Sequence, residues 1–505
     1  VHSVVPDGGE VVLVRRDDRR QRDHALVSVS GFRGRKEFVS FADCAVNVLT
    51  ALRERVFYHI VQGVASAPHV PSRVTVRNTL RAFHSRMLRE AFVSIPVPVQ
   101  DYPACYSGSR RLLYERAAVK VLEGGWRRGW AVLKTFIKYE KIEAVPGKRL
   151  VPRVIQPRAP EFNVIVGRYL RHLEHPIYHI IDRLCGGPTV MKGYNAFEVG
   201  SHMAAAWSEF NVPVAIGLDA SRFDQHVSRP ILEWEHSVYA MFYRGEERRE
   251  LMRALECQLV NTGFASTPDG TYRYRREGCR ASGDMNTALG NCLVMCAMVH
   301  AYMESINVAK WRLLNNGDDC VVIVEAGNLP AFASLPTFFG QLGFVMTVEE
   351  PVYELEQVEF CQTHPVYDGE KWRMVRNVRT AISKDSTMLQ GFNDEAEYSR
   401  YRYVVAQGGL ALCSGIPMMQ QYYTTFGRGS VEGELRDKRI LESGFLRLSH
   451  GLVARQSPIS IEARVSFWRA FGFTPSEQED WEAHFAAVPP MATTQVEGAA
   501  DWWEL

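Results

Sequence analysis

Asn315-Asn316-Gly317-Asp318-Asp319-Cys320 sets two adjacent carboxylates between two apolar runs. Trp311-Arg312-Leu313-Leu314 precedes it and Val321-Val322-Ile323-Val324 follows. Both runs are short and rich in branched or bulky side chains, a pattern that predicts strand, tight turn, strand. Asn316-Gly317 is a hairpin signal because both residue types tolerate positive φ. Such a turn presents the two acids at an exposed tip on a rigid support. Neighbouring carboxylates repel unless a cation joins them. Taken alone, the hexapeptide is explained more economically as a solvated turn; the rest of the chain decides.

Working outward, Val212–Leu218 reads as an apolar strand that ends at Asp219, within Gly217-Leu-Asp-Ala-Ser-Arg-Phe-Asp-Gln225. An acid at a strand end is well placed to meet Asp318 at the tip of a neighbouring hairpin. Asp219 and Asp318, with Asp319 as an optional third, would offer hard oxygen donors suited to Mg²⁺, with Mn²⁺ as a substitute. Asp224 lies too far along to share those ions and is placed to read a sugar hydroxyl instead. A third piece is Gly278-Cys-Arg-Ala-Ser-Gly-Asp-Met-Asn-Thr-Ala-Leu-Gly-Asn291. Ser282-Gly283 makes a loop there, and a helix is predicted from near Asp284. Thr287 and Asn291, four apart, share a helix face. Asn291 has the donor and acceptor needed to read a ribose together with Asp224. A capped, polar helix start is the plainer reading of this segment by itself.

A basic ribbon precedes these pieces. Lys134, Lys138 and Lys141 surround Tyr139-Glu140, and Lys148, Arg149, Arg153 and Arg158 follow. Prolines 146, 152, 157 and 160 forbid a continuous helix. The arginines then project from extended chain, where their forks suit phosphate; a solvated strand pair is the alternative. Tyr106-Ser-Gly-Ser-Arg110-Arg111 stands before a helix predicted over 112–122, as a phosphate-holding or merely basic loop.

Composition sets the frame. A chain of 505 residues that is 46% hydrophobic and 23% charged is globular and large enough for several subdomains. The net charge of +2 hides an asymmetry: residues 1–200 hold 32 Lys+Arg against 18 Asp+Glu, and residues 201–505 hold 27 against 39. The basic front suits a polyanion track; most acids of the rear half are simply solvated. Arg15, Arg16, Arg19, Arg20 and Arg22 predict a weakly ordered arm within residues 1–40, or one that touches RNA. Ten cysteines without a paired framework suit a reducing compartment. Cys292, Cys296 and His300 share a helical face, but the apolar residues between them predict a buried helix rather than a metal site. No run of about 20 apolar residues and no secretory signal is seen. The first methionine is Met87, so a cleaved, truncated or readthrough product is expected.

Asp219-x4-Asp224, Ser282-Gly283-x3-Thr287-x3-Asn291 and Gly317-Asp318-Asp319 together resemble the palm motifs of viral RNA-dependent RNA polymerases. Order and spacing are most similar to the tombusvirus family of plus-strand RNA plant viruses and its carmovirus- and umbravirus-like relatives. Pro152–Arg158, Gly187-Pro-Thr-Val-Met-Lys-Gly193 and Val358-Glu-Phe-Cys-Gln-Thr363 support the resemblance, which covers about residues 100–365. It is weak over residues 1–95 and diffuse beyond about 380.

The resemblance implies an α+β right-hand fold with an antiparallel palm sheet and a helical thumb. Residues 1–95 would form a basic extension and part of the fingers, 96–210 the fingers, 211–375 the palm with a fingers insertion at about 228–275, and 376–505 the thumb and tail. It implies RNA-templated, two-metal nucleotidyl transfer, started without a primer. Asp219, Asp318 and Asp319 would be catalytic and bind Mg²⁺. Asp224, Ser282, Thr287 and Asn291 would handle the nucleotide, and Lys138, Lys141, Arg153 and Arg158 its triphosphate. Arg110, Arg111, Lys192, Gly283, Cys361 and Gln362 would meet RNA. Partners would be template and product RNA, NTPs, a viral auxiliary replication protein and host factors. The site of action would be host cytoplasm at membrane-associated complexes, with membrane reached only indirectly.

One departure stands out. Many relatives carry a lysine after the catalytic hairpin to protonate pyrophosphate; here no Lys or Arg occurs from Leu313 to Glu370. The general acid stays unassigned, with His364 a surface histidine or a substitute. Trp468, Tyr422 and Tyr423 would stack on RNA or, the preferred reading, pack in the core; Pro489 to Leu505 reads as a loose tail. Two rivals remain: a reverse transcriptase or DNA polymerase, disfavoured by Asp224 with Asn291, and a non-catalytic RNA-binding scaffold, disfavoured by the three carboxylates.

Overall fold

A computed structural model describes residues 9–16, 27–28, 32, 36–389, 392, 394–433, 449 and 451–489. The acids lie on a four-stranded sheet ordered Arg312–Asn316, Asp319–Glu325, Pro213–Ala220, Met346–Val348, antiparallel throughout. Its strands read as continuous apolar runs because both faces are covered. Val214, Ile216, Leu218, Val322 and Val324 enter one core, while Ala215, Leu314, Val321 and Ile323 enter another. A one-residue slip would exchange these sets between the two cores, so the register is firmly specified.

Beneath the first face runs the helix Thr287–Ser305. Leu289 through Met303 are all buried, so this is a core helix, apolar all round rather than amphipathic. Cys292, Cys296 and His300 are buried with it, and His300 Nε2 lies 2.8 Å from Arg86 Nη1. The helix starts at Thr287 rather than Asp284, because Asp284 is taken by an ion pair with Arg158.

A second sheet is ordered Gly9–Arg16, Gly270–Glu277, Val260–Thr267, Leu133–Lys134. Part of the expected arm is therefore a strand: Val11, Val12 and Leu13 pair with Tyr274, Arg273 and Tyr272, and the register shifts at Val14 before Arg15 pairs with Thr271. Arg19, Arg20 and Arg22 lie outside the described residues. Basic-ribbon strands Phe136–Ile137 and Val154–Ile155 pair antiparallel beside this sheet. Helices Val378–Asp385, Glu395–Cys413, Met419–Phe426, Ile461–Phe471 and Pro475–Ala487 form the C-terminal part around the second core. Of the expected tail, only Pro489 is described. No helix among the described residues is long and apolar enough to cross a membrane.

Candidate active site

Gly317 and Asp318 form the loop of the acidic hairpin, with Asn316 and Asp319 its closing pair. Gly317 has φ +83° and Asp318 is not in the left-handed region, the pattern of a type II′ turn rather than an Asn-Gly type I′ turn. Asn315 Nδ2 donates to the Gly317 carbonyl at 2.7 Å, which locks the loop from below. Asp219 lies directly across from Asp319 in the strand register. The acids 100 residues apart in sequence thus converge, as the motif spacing required.

Asp219, Asp318 and Asp319 line a small cavity of about 200 Å³ with Glu349 and Glu359, and no Lys or Arg shares its wall. Burial, then Asp224 and Asp219, push the Asp318 carboxyl above its ordinary pKa. Burial, with Asp318 and Glu349 adding repulsion, raises Asp319 to about 6 despite its bond from the Cys361 N–H. Burial and Asp219 likewise raise Glu349. Among the described residues no three His, Cys, Asp or Glu groups are already closed on one metal point. The donor set nevertheless fits a hard divalent cation: clustered carboxylate oxygens that repel one another and lack a cationic neighbour on the cavity wall.

Beyond Asp318 the space opens into a cavity of about 510 Å³. Asp224, Ser282, Thr287 and Asn291 line it together. Ser282 Oγ donates to Asp224 Oδ2, and Asn291 Nδ2 donates to Asp224 Oδ1 at 2.8 Å. Arg280 Nε donates to Asn291 Oδ1 at 2.9 Å and thereby orients the amide. Arg280 itself is fully buried against Glu235, whose Oε1 also accepts from Tyr239 and Asn286. Neither Arg280 nor Glu235 was singled out in the sequence; a buried ion pair leaves no local pattern.

The opposite wall is basic. Lys138 and Arg153 stand at the end of the ribbon, joined by the Lys138 N–H donating to the Arg153 carbonyl at 2.7 Å, and both side chains pair with Glu140. Arg55, Arg222 and Lys192 complete this wall. Burial, then the charges of Arg222 and Arg153, lower the Arg55 guanidinium to about 10. Arg55 also donates to the ribbon, from Nη2 to the Val151 carbonyl at 2.9 Å and from Nε to the Pro152 carbonyl at 3.0 Å, and Arg222 donates to the Glu54 carbonyl. Arg55 and Arg222 were missed by the motif reading. Arg55 lies where the resemblance is weak, and Arg222 takes the left-handed φ of +49° just after the Asp219 strand. An arginine pair isolated in an apolar helix, Arg53-Glu-Arg55, was the available signal.

Two expected triphosphate ligands are corrected. Arg158 is buried; its side chain pairs with Asp284 and donates to the Ala131 carbonyl at 2.6 Å, so it braces the ribbon. Lys141 donates to the carbonyls of Lys384 and Thr387, tying ribbon to C-terminal part. Arg110 and Arg111 lie in the first turn of helix Gly108–Gly124, which begins before the predicted 112; Arg111 pairs with Glu115, and neither lines the two cavities. Gly283, at φ +142°, lets the loop touch the ribbon, since a Cβ would meet Gln156 at 2.9 Å. Lys192 donates to Asn316 Oδ1 at 2.6 Å. Cys361 and Gln362 form a turn with φ +52° and +61°, and the Cys361 N–H donates to Asp319 Oδ2 at 3.0 Å.

His364 does not line either cavity: Nδ1 lies 3.0 Å from the Glu356 carbonyl, and the ring packs on Phe471. Tyr422 and Tyr423 are core residues, each 0% exposed. Trp468 differs from the packing expectation, at 46% exposure, because Phe467 and Phe471 take the inward face of its helix.

A family model described as viral RNA dependent RNA polymerase matches residues 12–491. The chain is 40% identical over 479 residues to the RNA-directed RNA polymerase of Maize chlorotic mottle virus, covering 94% of this chain and 49% of that protein. It is 41% identical over 445 residues to that of Turnip crinkle virus, covering 87% and 56%. With Carnation mottle virus the identity is 42% over 416 residues, covering 81% and 54%. The chain thus spans about half the length of these relatives.

Proposed function

Since the chain belongs to the viral RNA-dependent RNA polymerase family, we propose that it copies an RNA template by adding ribonucleotides to a growing 3′ end, as a right-hand polymerase of a plus-strand RNA plant virus. One observation carries the reading: two cavities meet at Asp318, one lined by Asp219, Asp318 and Asp319, the other by Arg55, Lys138, Arg153, Lys192 and Arg222 together with the Asp224–Asn291 pair.

Asp219, Asp318 and Asp319 would hold Mg²⁺, which when bound activates the 3′-hydroxyl and stabilises the pyrophosphate leaving group. The chain's own residues do the rest. Arg55, Lys138, Arg153 and Arg222 hold the triphosphate and fix its α-phosphate for in-line attack. Asp224 accepts from the ribose hydroxyl while Ser282 and Asn291 hold its carboxylate in place. Lys138 and Lys192 are the ammonium groups on the cavity wall and so the donors available to pyrophosphate. The acidic sheet acts as palm, the ribbon and second sheet as fingers, and the C-terminal helices as thumb. Cys361-Gln362 supports the product strand beside Asp319. Initiation without a primer, an auxiliary viral protein, host factors and membrane-associated complexes in host cytoplasm complete the proposal.

The test is template extension with and without Mg²⁺. Asp318→Ala abolishes incorporation while RNA binding persists; unchanged synthesis in that variant rejects the assignment.

A further inference from the structure

On the far side of the Asp224 turn lies a cavity of about 380 Å³ that the polymerase reading does not use. His226, Ser228 and Arg276 line it with Gln225, which also borders the substrate cavity, and the Pro68–Pro71 segment lines it too. These four side chains are between 2% and 8% exposed. Each carries an atom without a hydrogen-bond partner: Gln225 Oε1, His226 Nε2, Ser228 Oγ and Arg276 Nε. His59, whose ring centroid lies 5.7 Å from that of His226, carries two more such atoms without lining the cavity, and unsatisfied groups are costly enough that a cluster asks for an occupant.

The chemistry of that occupant follows from the donors. Arg276 is 8% exposed, its Nε has no hydrogen-bond partner, and among the described residues no carboxylate forms an ion pair with it; its guanidinium lies 5.7 Å from the Phe57 ring centroid. The other arginines of the cavity are satisfied, Arg73 by Glu233 and Arg229 by Glu233 and Glu277. A guanidinium whose Nε faces no partner among the described residues favours an anionic ligand. Ser228 adds a hydroxyl donor. His226 Nδ1 lies 3.1 Å from the Arg222 carbonyl and so carries the proton, which leaves Nε2 an acceptor beside the Gln225 Oε1 acceptor. The Gln225 amide nitrogen is already used, donating to the Tyr58 carbonyl at 2.5 Å. An occupant therefore presents an anionic group to Arg276 and Ser228, and hydrogen donors to His226 and Gln225.

We propose that this cavity is a second ligand site, for a small phosphate monoester of the nucleoside monophosphate class. Its size suits such a ligand. The site shares a turn with the substrate cavity: Gln225 and His226 follow Asp224 directly, the Arg280 N–H donates to the Asp224 carbonyl at 2.9 Å, and the Cys279 N–H to the Val227 carbonyl at 2.9 Å. A bound ligand thus bears on the segment that carries the sugar-reading acid. Occupancy does not depend on the polymerase assignment and is tested apart from it.

The experiment is calorimetric titration of the full 505-residue chain with AMP, inorganic phosphate and adenosine. AMP binds saturably and adenosine does not; Arg276→Met weakens AMP at least tenfold, while Arg55→Met in the substrate cavity leaves it unchanged. Inorganic phosphate binding as tightly as AMP assigns the site to free phosphate, and weaker binding assigns it to the nucleotide. Absence of saturable binding by either phosphate compound overturns the proposal. So does AMP binding that survives Arg276→Met but falls with Arg55→Met. Should Arg276→Met fail to fold by circular dichroism, Ser228→Ala carries the same comparison, with a several-fold loss expected and an unchanged affinity overturning the site.

Discussion

Replacing Asn291 by alanine tests the proposal that Asp224 and Asn291 read the sugar. Asn291 Nδ2 holds Asp224 Oδ1 at 2.8 Å, and its own orientation is fixed by Arg280 Nε at 2.9 Å from Oδ1. In Asn291→Ala the Asp224 carboxylate keeps only Ser282 and turns away from the position where a 2′-hydroxyl would meet it. A hydrogen bond to a charged group is worth about 1.5–3 kcal/mol, and that range corresponds to roughly 10- to 150-fold in rate. The fold tolerates the change because Arg280 stays paired with Glu235. The assay is kcat/KM for a ribonucleotide and for its 2′-deoxy analogue on one template. The ratio of the two is expected to fall by that factor, with the loss mostly on the ribonucleotide. An unchanged ratio, with both substrates equally impaired, would show that Asn291 serves only to hold the helix start and would refute the reasoning.

Asp319→Asn raises the thermal midpoint in chelator at neutral pH. The folded pKa of about 6 lies above the ordinary carboxylate value, so the wild-type group costs stability once the unfolded chain ionises, between about pH 4 and 6, and fully above pH 6. The cost is about 1–3 kcal/mol after allowing for partial exposure, so a midpoint that does not rise sinks the assignment; the same sign makes divalent-ion affinity weaken as pH falls below 6. Arg55→Met raises KM for NTPs about tenfold with little loss of RNA affinity, since it removes one phosphate contact; an unaltered KM in steady-state kinetics removes Arg55 from the triphosphate wall. Arg158→Met destabilises the chain by about 3–5 kcal/mol by leaving Asp284 buried and unpaired. A variant that melts normally but binds NTP poorly would restore Arg158 to the substrate.

The sequence displayed the acids because chemistry needs them at strand ends and turns, where local pattern is strong. Asp219, Asp318 and Asp319 were joined by motif order and the family resemblance it carries, and Asp224, Ser282 and Asn291 line one cavity. Cations were harder to place. Lys138, Arg153 and Arg158 look alike in a proline-rich ribbon, yet two reach the cavity and the third is buried in an ion pair. Which side of a two-residue strand a side chain leaves from depends on pairing partners far along the chain, here Phe136–Ile137 with Val154–Ile155. Arg55 and Arg280 were missed for the same reason: one is brought in by the packing of an N-terminal helix, the other by a glutamate 45 residues away.

The position of the acids is set by three segments at once. Loop 187–193 bridges the strand Arg312–Asn316 at Val190–Asn315, and this carries Lys192 to Asn316 Oδ1. Asn316 Nδ2 in turn reaches Cys361 Sγ at 3.1 Å, while the Cys361 N–H holds Asp319. Cys361 and Gln362 both sit at positive φ without being glycine, a strain on the order of 1–3 kcal/mol per residue that the surrounding contacts must offset. A relaxed turn would withdraw the Cys361 N–H from Asp319, and the carboxylate would lose a neutral donor that restrains it against Asp318. The strained turn, the amide of Asn316 and the ammonium of Lys192 therefore form one support under the acid pair. A change in any of them should be felt at Asp319 before it is felt at Asp219, whose strand is fixed by the cores on both sides of the sheet.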